Sequence, residues 1–531
     1  MMKRILAAVG LVLLLLACWG CGAAPRPDTV SYVLEAEPSR LDPAMTTALP
    51  ESNVELQIFE GLTRLDGHDV PQPALAASWQ ISPDGKVYTF YLRDGICWSD
   101  GTPITAQDIE YSWKRVLNPD VASENAYMMF CIDKAEAYFK RQARADEVGV
   151  TALDDKTLQV RLTNPTAYFL NLTAFHCYYP VPKHVVEARP DTWAADAETM
   201  VCSGPYKITA WNHSSQIDMV KNDAYWDAGA VVLDRLEFPI SDSQATRLTL
   251  VESGQANMTV EPPPSEQERL EALGLYKIAP YLGSYYYVFN VQKPPFDDVN
   301  VRRAFAAAVR REELVRYVVR AQKEAAYAWV PPGIADEETG RDFREEGGDL
   351  AVEDEAAARA YLKAAGYDED HPLPEVTILF NTNEMHKAIA EAMQSMWKDA
   401  LGADVFLANQ ESKVFLATRS QGDYQIARAS WIADYVDPMT FLDVFADRDN
   451  DARYYNVIYN NLVQAAKETN DPALRRQYMH EAEQILFDDC VIIPIYYTTQ
   501  PYVVQPYVKG YHWSPLGVVD FKRAYLEDQK G

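Results

Sequence analysis

Two hydrophobic periodicities alternate along the chain and predict a mixed α/β protein. Residues 78–93 alternate apolar and polar positions on both sides of the turn Pro83-Asp84-Gly85, which predicts a β-hairpin. A helical period follows Thr105, a good N-cap residue, and one face of that helix carries Ile109, Trp113 and Val116. The change of period within one short segment indicates a sheet covered by a helix.

The second half of the chain repeats a strand–helix–strand order. Residues 375–381 form a continuous apolar run of the kind found in buried parallel strands. The next helix ends at Gly402, and residues 404–409 form the second strand; one face of this helix carries Ile389, Met393, Met396, Trp397 and Ala400. This order predicts a doubly wound sheet, in which ligands bind at the carboxyl ends of the strands.

Other segments have simpler patterns. We expect an alternating strand at the start of the folded chain, near Ser31, and a helix over 51–59 that stops before Gly61. A helix capped by Asp297 or Asp298 is predicted to continue to Val319, with its arginines away from the apolar face; that face carries Val301, Phe305, Ala308, Val309, Val315 and Val319. Residues 353–365 predict a short helix, and residues 492–506 are apolar and rich in β-formers.

Length and charge restrict the class of protein. The 531 residues exceed what one hydrophobic core usually serves, so two or three domains are expected. The net charge of −28 argues against a nucleic-acid partner, because binding phosphates needs a basic surface.

The N-terminus has the pattern of an export signal. Lys3 and Arg4 precede an apolar run that is too short to span a membrane, and residues 1–17 therefore predict a signal peptide. The run ends at Cys18 and resembles a bacterial lipobox, in which that cysteine is lipidated; Cys21 fits the pattern less well. Residues 18–30 would then be the lipid anchor and tether, on the extracytoplasmic side of the cell membrane.

Six further cysteines follow Cys18. In an exported protein disulfides can persist, and the pairs nearest in sequence are Cys97–Cys131 and Cys177–Cys202. Sequence alone does not fix this connectivity. Only Cys18 and Cys21 have CxxC spacing, and they belong to the anchor, so no metal site and no cofactor are predicted.

A series of motifs resembles family 5 of the extracellular solute-binding proteins, in particular the oligopeptide-binding lipoproteins of ABC peptide importers. The first is SWQISPDGKVYTFYLRDGICWSDGTPITAQDIEYSWKRVL at 78–117. SGPYKITAW (203–211), KNDAYWD (221–227), PPFDDVNVRRAFAAAVRREELV (294–315) and RASWIADYVDPMTFL (428–442) follow in the family's order. The resemblance therefore covers nearly the whole chain after the signal.

The resemblance implies a bilobal α/β fold of the type II periplasmic-binding-protein kind, with three structural domains and a hinged cleft. Domain I would comprise 19–61, 186–288 and 501–531, domain II 62–185, and domain III 289–500. The implied function is capture of peptides, favouring oligopeptides, by lobe closure and delivery to the permease of an ABC importer. A monomer is expected.

Asp434 is the first candidate site residue. A carboxylate between Trp431 and Tyr435 is, taken alone, more often structural than functional. In the oligopeptide-binding relatives, the aspartate of the W-x-A-D-Y motif takes the ligand's α-amino group, and Asp434 matches it. Trp431 and Tyr435 would then wall the pocket, or else be core residues.

The resemblance adds further candidates around Asp434. Arg428 matches an arginine that can meet the peptide's C-terminal carboxylate; otherwise it would form a structural ion pair. Tyr496 and Tyr497 are either ligand contacts or strand core, and Asn125 and Tyr127 lie where the smaller lobe of relatives reaches the cleft.

Enzyme functions find no support in the motifs. The sequence contains no GxSxG, HExxH or GxGxxG motif in the required context, and its eight histidines are scattered. The segment at 447–451 starts like a calcium loop but lacks the glycine and glutamate that such a loop requires. Two other functions stay open: binding of dipeptides or another solute, and a surface receptor or chaperone that senses peptides.

Overall fold

The structure is a computed structural model, and it describes residues 28–320, 322–335, 339–368, 370–446 and 449–527. The predicted signal peptide, the lipidated Cys18, the rival Cys21 and most of the tether lie outside the described residues. Within those ranges, no helix combines the length and apolar character needed to cross a bilayer.

Twenty-one strands are present in the described chain. In chain order they are β1 Thr29–Val33, β2 Thr63–Leu65, β3 Pro71–Pro73, β4 Ala76–Ile81, β5 Val87–Leu92, β6 Val150–Ala152, β7 Thr157–Arg161, β8 Tyr206–Asn212, β9 Gln216–Lys221, β10 Arg235–Pro239, β11 Met258–Val260, β12 Tyr276–Phe289, β13 Glu324–Ala325, β14 Val376–Asn381, β15 Val405–Gln410, β16 Ile426–Ile432, β17 Ile492–Val504, β18 Val508–Lys509, β19 His512–Trp513, β20 Val519–Asp520 and β21 Tyr525–Leu526.

Sixteen α-helices accompany them in the described ranges. They are α1 Leu49–Ile58, α2 Ala106–Val116, α3 Ala135–Phe139, α4 Phe169–Leu172, α5 Lys183–Ala188, α6 Gln244–Glu252, α7 Gln267–Ala272, α8 Val299–Ala307, α9 Arg311–Glu313, α10 Phe343–Gly347, α11 Glu355–Ala364, α12 Glu384–Leu401, α13 Ser412–Ser420, α14 Met439–Leu442, α15 Val457–Glu468 and α16 Pro472–Asp488.

One large sheet runs through the molecule, in the order β15-β14-β16-β12-β17-β11-β1-β10-β9-β8, with β13 pairing β17. The long antiparallel strands β12 and β17 form its centre, and their register shifts between Pro280 and Ser284. A Cβ at Gly283 would lie 2.4 Å from Ile432 Cδ1 and 2.5 Å from Thr498 Oγ1, so only glycine allows this close approach. The two halves of the sheet are therefore joined through one irregular strand pair.

A separate four-stranded sheet, β4-β5-β7-β6, contains the predicted hairpin. The hairpin prediction is confirmed: Gly85 takes a φ of +68° in the turn, and β5 alternates buried and half-buried positions. Helix α2 begins after Thr105 as predicted, and its buried Trp113 donates a hydrogen bond of 2.8 Å to the Tyr178 carbonyl. We call residues 62–185, which carry this sheet, the small-sheet region.

The predicted strand–helix–strand unit is also confirmed. Strands β14 and β15 pair in parallel, with α12 between them. Asn383 caps the start of α12 through its side chain, and Gly402 ends the helix in the left-handed conformation, with a φ of +68°. The indole of Trp397 packs 4.8 Å from the Phe305 ring, joining this helix to α8.

The predicted continuous helix from residue 298 to Val319 is wrong. Asp298 caps α8 as expected, but α8 ends at Ala307, and α9 leads into a π-helical segment at Leu314–Val319. Two arginines expected away from the apolar face are buried instead: Arg302 Nη2 donates to the Asp489 carbonyl at 2.7 Å, and Arg311 Nε to the Pro494 carbonyl at 2.8 Å. These carbonyls accept hydrogen bonds from the buried guanidinium groups, an arrangement that only distant parts of the chain can provide.

The first strand is likewise not alternating. All five residues of β1 are buried, because parallel strands β10 and β11 flank it on both sides.

Neither of the two candidate disulfides is present. Cys97, Cys131, Cys177, Cys202 and Cys490 are all free thiols. The sulfur of Cys97 faces the Ala224 carbonyl at 3.5 Å, and that of Cys131 faces the Tyr178 hydroxyl at 3.8 Å. These two cysteines therefore contact other groups and not each other. Proximity in sequence did not correspond to proximity in space.

We expect all five cysteines to react with iodoacetamide when the exported protein is unfolded without reductant. Because none is oxidised in the fold, peptide mass spectrometry should find the same alkylation with and without prior reduction. A peptide linked through Cys97–Cys131 or Cys177–Cys202 would contradict this expectation.

Candidate ligand-binding site

The segment after β16 is a turn held at several points. The Ala433 amide donates to the Leu282 carbonyl at 2.8 Å, and the Asp434 amide donates to Thr440 Oγ1 at 3.1 Å. Asp437 accepts two hydrogen bonds from the Arg475 guanidinium, of 2.9 and 2.8 Å, in a buried bidentate pair. The direction in which Asp434 projects is therefore fixed by its surroundings.

Asp434 borders two cavities. The first, of about 280 Å³, lies between the N-terminus of α1, the small-sheet region and the C-terminal segment; its lining includes Thr47, Leu49, Asn125, His176, Tyr281, Ile432 and Asp520. The second, of about 950 Å³, lies between the small-sheet region and the segment 431–475; its lining includes Tyr127, Cys131, Tyr168, Trp431, Asp443 and Lys467. Tyr435 also borders both.

The Asp434 carboxylate has no cationic partner among the described residues. Burial raises its pKa above the usual range, and a hydrogen bond from the Tyr127 hydroxyl lowers it part of the way back. A half-buried carboxylate with a single neutral donor is costly, since its partial removal from water is offset only by pairing and hydrogen bonds. The site is suited to a ligand that brings a positive charge.

The small-sheet region contributes both residues that the sequence had assigned to it. Tyr127 reaches Asp434, as its own raised pKa also reflects, first through burial and then through the neighbouring carboxylate. Asn125 lines the first cavity, and its side-chain amide donates to the Thr46 carbonyl at 2.6 Å. Beside it, His176 is neutral over the ordinary pH range, because burial lowers its pKa to about 3.

The aromatic neighbours of Asp434 differ in their surroundings. Trp431 lines the second cavity, and its indole nitrogen is buried without a partner. Tyr435 is buried, and its ring stacks on that of Tyr168 at 4.4 Å and 6°.

Arg428 lies near the start of β16, whereas Asp434 follows the end of that strand. Its Nη2 donates to Ser430 Oγ at 3.2 Å, its Nη1 to Asn381 Oδ1 at 3.5 Å, and its guanidinium carbon lies 5.0 Å from the centre of the Tyr285 ring. No carboxylate in the described ranges pairs with it, so the predicted alternative of a structural ion pair is wrong. A half-buried, uncompensated guanidinium fits an anionic ligand group.

Tyr496 belongs to the surroundings of Arg428, and Tyr497 does not. Tyr496 stacks on Tyr285 at 4.7 Å and 11°. Tyr497 is buried, and its hydroxyl donates to the Ala328 carbonyl at 3.4 Å. Neither residue borders the two cavities beside Asp434.

Strand β16 connects the two charged groups and has a free edge. It pairs with β12 from Ile426 to Ile432, but with β14 only at Ile426 and Ala427. From Arg428 to Ile432 the backbone on the β14 side therefore has no strand neighbour in the described structure, and an extended ligand can add there.

Sequence reasoning missed His386 and Tyr285. The Tyr285 hydroxyl and His386 Nδ1 lie 3.1 Å apart, and burial, followed by the Arg428 charge, lowers the pKa of His386 to about 4. Tyr285 lies opposite both Ser430 and Tyr496 in the sheet. This strand register belongs to the fold, and the sequence carried no signal for it.

Comparisons with known proteins identify relatives of the whole chain and of its fold. The chain is 38% identical to the dipeptide-binding protein DppE of Bacillus subtilis, over 94% of this chain and 92% of DppE. The fold matches the unliganded open form of the periplasmic murein tripeptide binding protein MppA, with a TM-score of 0.81, 32% identity and coverage of 95% and 98%. It also matches Haemophilus influenzae OppA in complex with RPPGFSPFR, with a TM-score of 0.74, 32% identity and coverage of 95% and 100%.

The family assignment follows from the sequence model that matches residues 70–453, the middle region of family 5 of the bacterial extracellular solute-binding proteins. The structural matches confirm the predicted fold class, and the family confirms that the protein binds a solute rather than acting as an enzyme. The chain belongs to family 5 of the bacterial extracellular solute-binding proteins.

Proposed function

We propose that this protein captures peptides outside the cytoplasm and delivers them to an ABC importer. The observation that carries the proposal is Asp434, a half-buried carboxylate without a cation among the described residues, which borders two cavities and follows the strand that carries the uncompensated Arg428. A zwitterionic chain complements both groups. The relatives named for dipeptide binding and for a bound RPPGFSPFR peptide support the same class of ligand.

The peptide's α-amino group pairs with Asp434. An ammonium group supplies the charge that the described residues lack, and each charge-assisted hydrogen bond contributes about 1.5–3 kcal/mol. Tyr127 donates to the same carboxylate and lines the same cavity, so it frames the amine from the small-sheet region.

The peptide's C-terminal carboxylate is bound at Arg428, with His386 and Tyr285 beside it. Between the two ends the ligand backbone adds to the free edge of β16, while Trp431, Tyr435 and Asn125 form the walls. A strand rises ~3.3 Å per residue, so the distance along the chain from Arg428 to Asp434 is at most about 20 Å. An extended peptide of roughly three to five residues fits within that interval.

Closure of two lobes completes the binding cycle. The three-domain division given above, with boundaries near residues 61, 185, 288 and 500, is part of the proposal. It is supported by the position of β12 and β17, whose register shift lies where the two halves of the large sheet meet. A ligand held from both sides stabilises the closed arrangement through its differential contacts.

The proposal extends to the location of the protein and its partners. We propose a lipid anchor at Cys18, on the extracytoplasmic face, from which the closed protein meets the permease subunits. A monomer meets these requirements.

Mass spectrometry of ligand that co-purifies with the protein is the direct test of the proposed function. Short peptides would support it; a non-peptide solute would overturn it. A peptide-sensing role would also involve peptide binding but would not need the importer. Uptake assays in a permease deletion strain separate the two roles, because only import by this protein is lost there.

The Asp434→Asn substitution should weaken peptide binding by about 10- to 100-fold, because the charge-assisted bonds to the amine are lost. N-acetylated peptides should bind the unmodified protein comparably poorly in calorimetry. Asp443→Asn is a matched control, since Asp443 lines the same cavity but is paired with Lys467 at 2.5 Å. Equal affinity for acetylated and free peptides would refute the amine contact.

Amidation of the peptide C-terminus should weaken binding to the unmodified protein and have little further effect on Arg428→Ala. Calorimetry of both proteins with both peptides forms a double-mutant cycle. The two losses of affinity should not add, because amidation and Arg428→Ala remove the same contact. If the two losses add, Arg428 does not meet the peptide carboxylate.

Peptide affinity should fall at acidic pH as Asp434 is protonated. Because burial raises the pKa of Asp434, the loss begins at a higher pH than for an ordinary aspartate, and affinity is fully present above that pKa. Tyr127→Phe removes the hydrogen bond that lowers this pKa, so its acidic limb should move to higher pH. Both proteins are titrated with the same peptide, so that ionisation of the peptide affects both curves equally. Superimposable acidic limbs of the two affinity–pH curves would contradict the role given to Tyr127.

A further inference from the structure

Tyr168 lies at the point where the small-sheet region meets the turn that carries Asp434. It immediately precedes α4 and is half-buried. Its ring stacks on Tyr435 at 4.4 Å and 6°, and the guanidinium carbon of Arg475 lies 5.6 Å from its centre. One side chain thus contacts two residues on the opposite side of the cleft.

The two partners of Tyr168 belong to one braced structure. Arg475 holds Asp437 through the bidentate pair, and the Asp437 amide donates to the Tyr435 carbonyl at 2.9 Å. Since Asp434 is the residue before Tyr435, a fixed Tyr435 limits the orientations open to the Asp434 carboxylate.

Two tyrosines of the small-sheet region contact consecutive residues of the turn. Tyr127 bonds to Asp434, and Tyr168 stacks on the next residue, Tyr435. The stack leaves the two phenol hydroxyls close enough to interact. Both tyrosines belong to the small-sheet region, so both contacts depend on the apposition of that region to the turn.

We propose that Tyr168 is a positioning residue that couples approach of the small-sheet region to the geometry of the amine-binding carboxylate. This inference rests on the proposed function. When the cleft closes, the Tyr168 ring inserts beside Tyr435 and Arg475, holds the turn, and slows ligand release. Most of its effect is carried by the ring face, because stacking and the cation–π contact need the ring and not the hydroxyl.

The test compares Tyr168→Phe with Tyr168→Leu in the full-length protein by stopped-flow peptide binding. Tyr168→Leu should dissociate about two- to tenfold faster, the range that an aromatic pair contributes, with a nearly unchanged association rate. Tyr168→Phe should restore the slow dissociation. Small-angle scattering with saturating peptide should show a less compact liganded state for the leucine variant alone.

Three results would overturn the proposal. The first is an unchanged dissociation rate in Tyr168→Leu. The second is failure of Tyr168→Phe to restore it while both variants keep the parent's thermal unfolding midpoint. The third is an effect that depends on whether the first peptide residue is alanine, phenylalanine or lysine, because Tyr168 would then act by touching the ligand. If the unmodified protein binds no peptide at all, the proposed function fails instead.

Discussion

A carboxylate held partly away from water without a cationic partner organises the candidate binding site. Asp434 is half-buried beside two cavities, with a neutral tyrosine as its side-chain donor, and desolvation raises its pKa. A protein that only needed a stable core would place an apolar residue or an ion pair there. The described residues around Asp434 instead hold its backbone, through Thr440 and the Asp437–Arg475 pair, and leave its charge uncompensated. Structural rigidity and electrostatic incompleteness at the same residue are what a preorganised binding site requires.

The central strand pair links the two halves of the large sheet. Strands β12 and β17 are long enough to belong to both halves, and their pairing is irregular where the halves meet. The residues that line the two cavities come from segments far apart in the chain, near residues 47, 127 and 434. Under the proposed lobe closure, a change at this strand pair would alter the distance between opposite walls of the cavities.

The two ends of the site differ in kind. Asp434 lies in a turn and borders open volume, whereas Arg428 lies within a strand and is surrounded by Tyr285, Asn381 and Ser430. Under the proposed function, a ligand amine would enter a cavity at one end, and a ligand carboxylate would meet a partly enclosed cation at the other. Backbone pairing along the free edge of β16 is independent of side-chain identity, so this arrangement reads the ends of a peptide more strictly than its sequence.

The sequence by itself determined the features that depend on neighbouring residues. The hairpin around Gly85, the unit from β14 to β15, the cap at Thr105 and the helix end at Gly402 all follow from local periodicity and turn chemistry. The ordered motifs also identified the family and singled out Asp434.

Tertiary structure alone decided the rest, because it concerns partners that are distant in the chain. The carbonyls that accept from the buried Arg302 and Arg311 lie more than 180 residues away in the chain, so no local pattern could predict the burial of these side chains. The free thiols, the hydrogen bond from Tyr127 to Asp434 and the approach of His386 to Tyr285 likewise depend on which surfaces meet after folding. Periodicity records which side of an element is buried, but it does not record what that side is buried against.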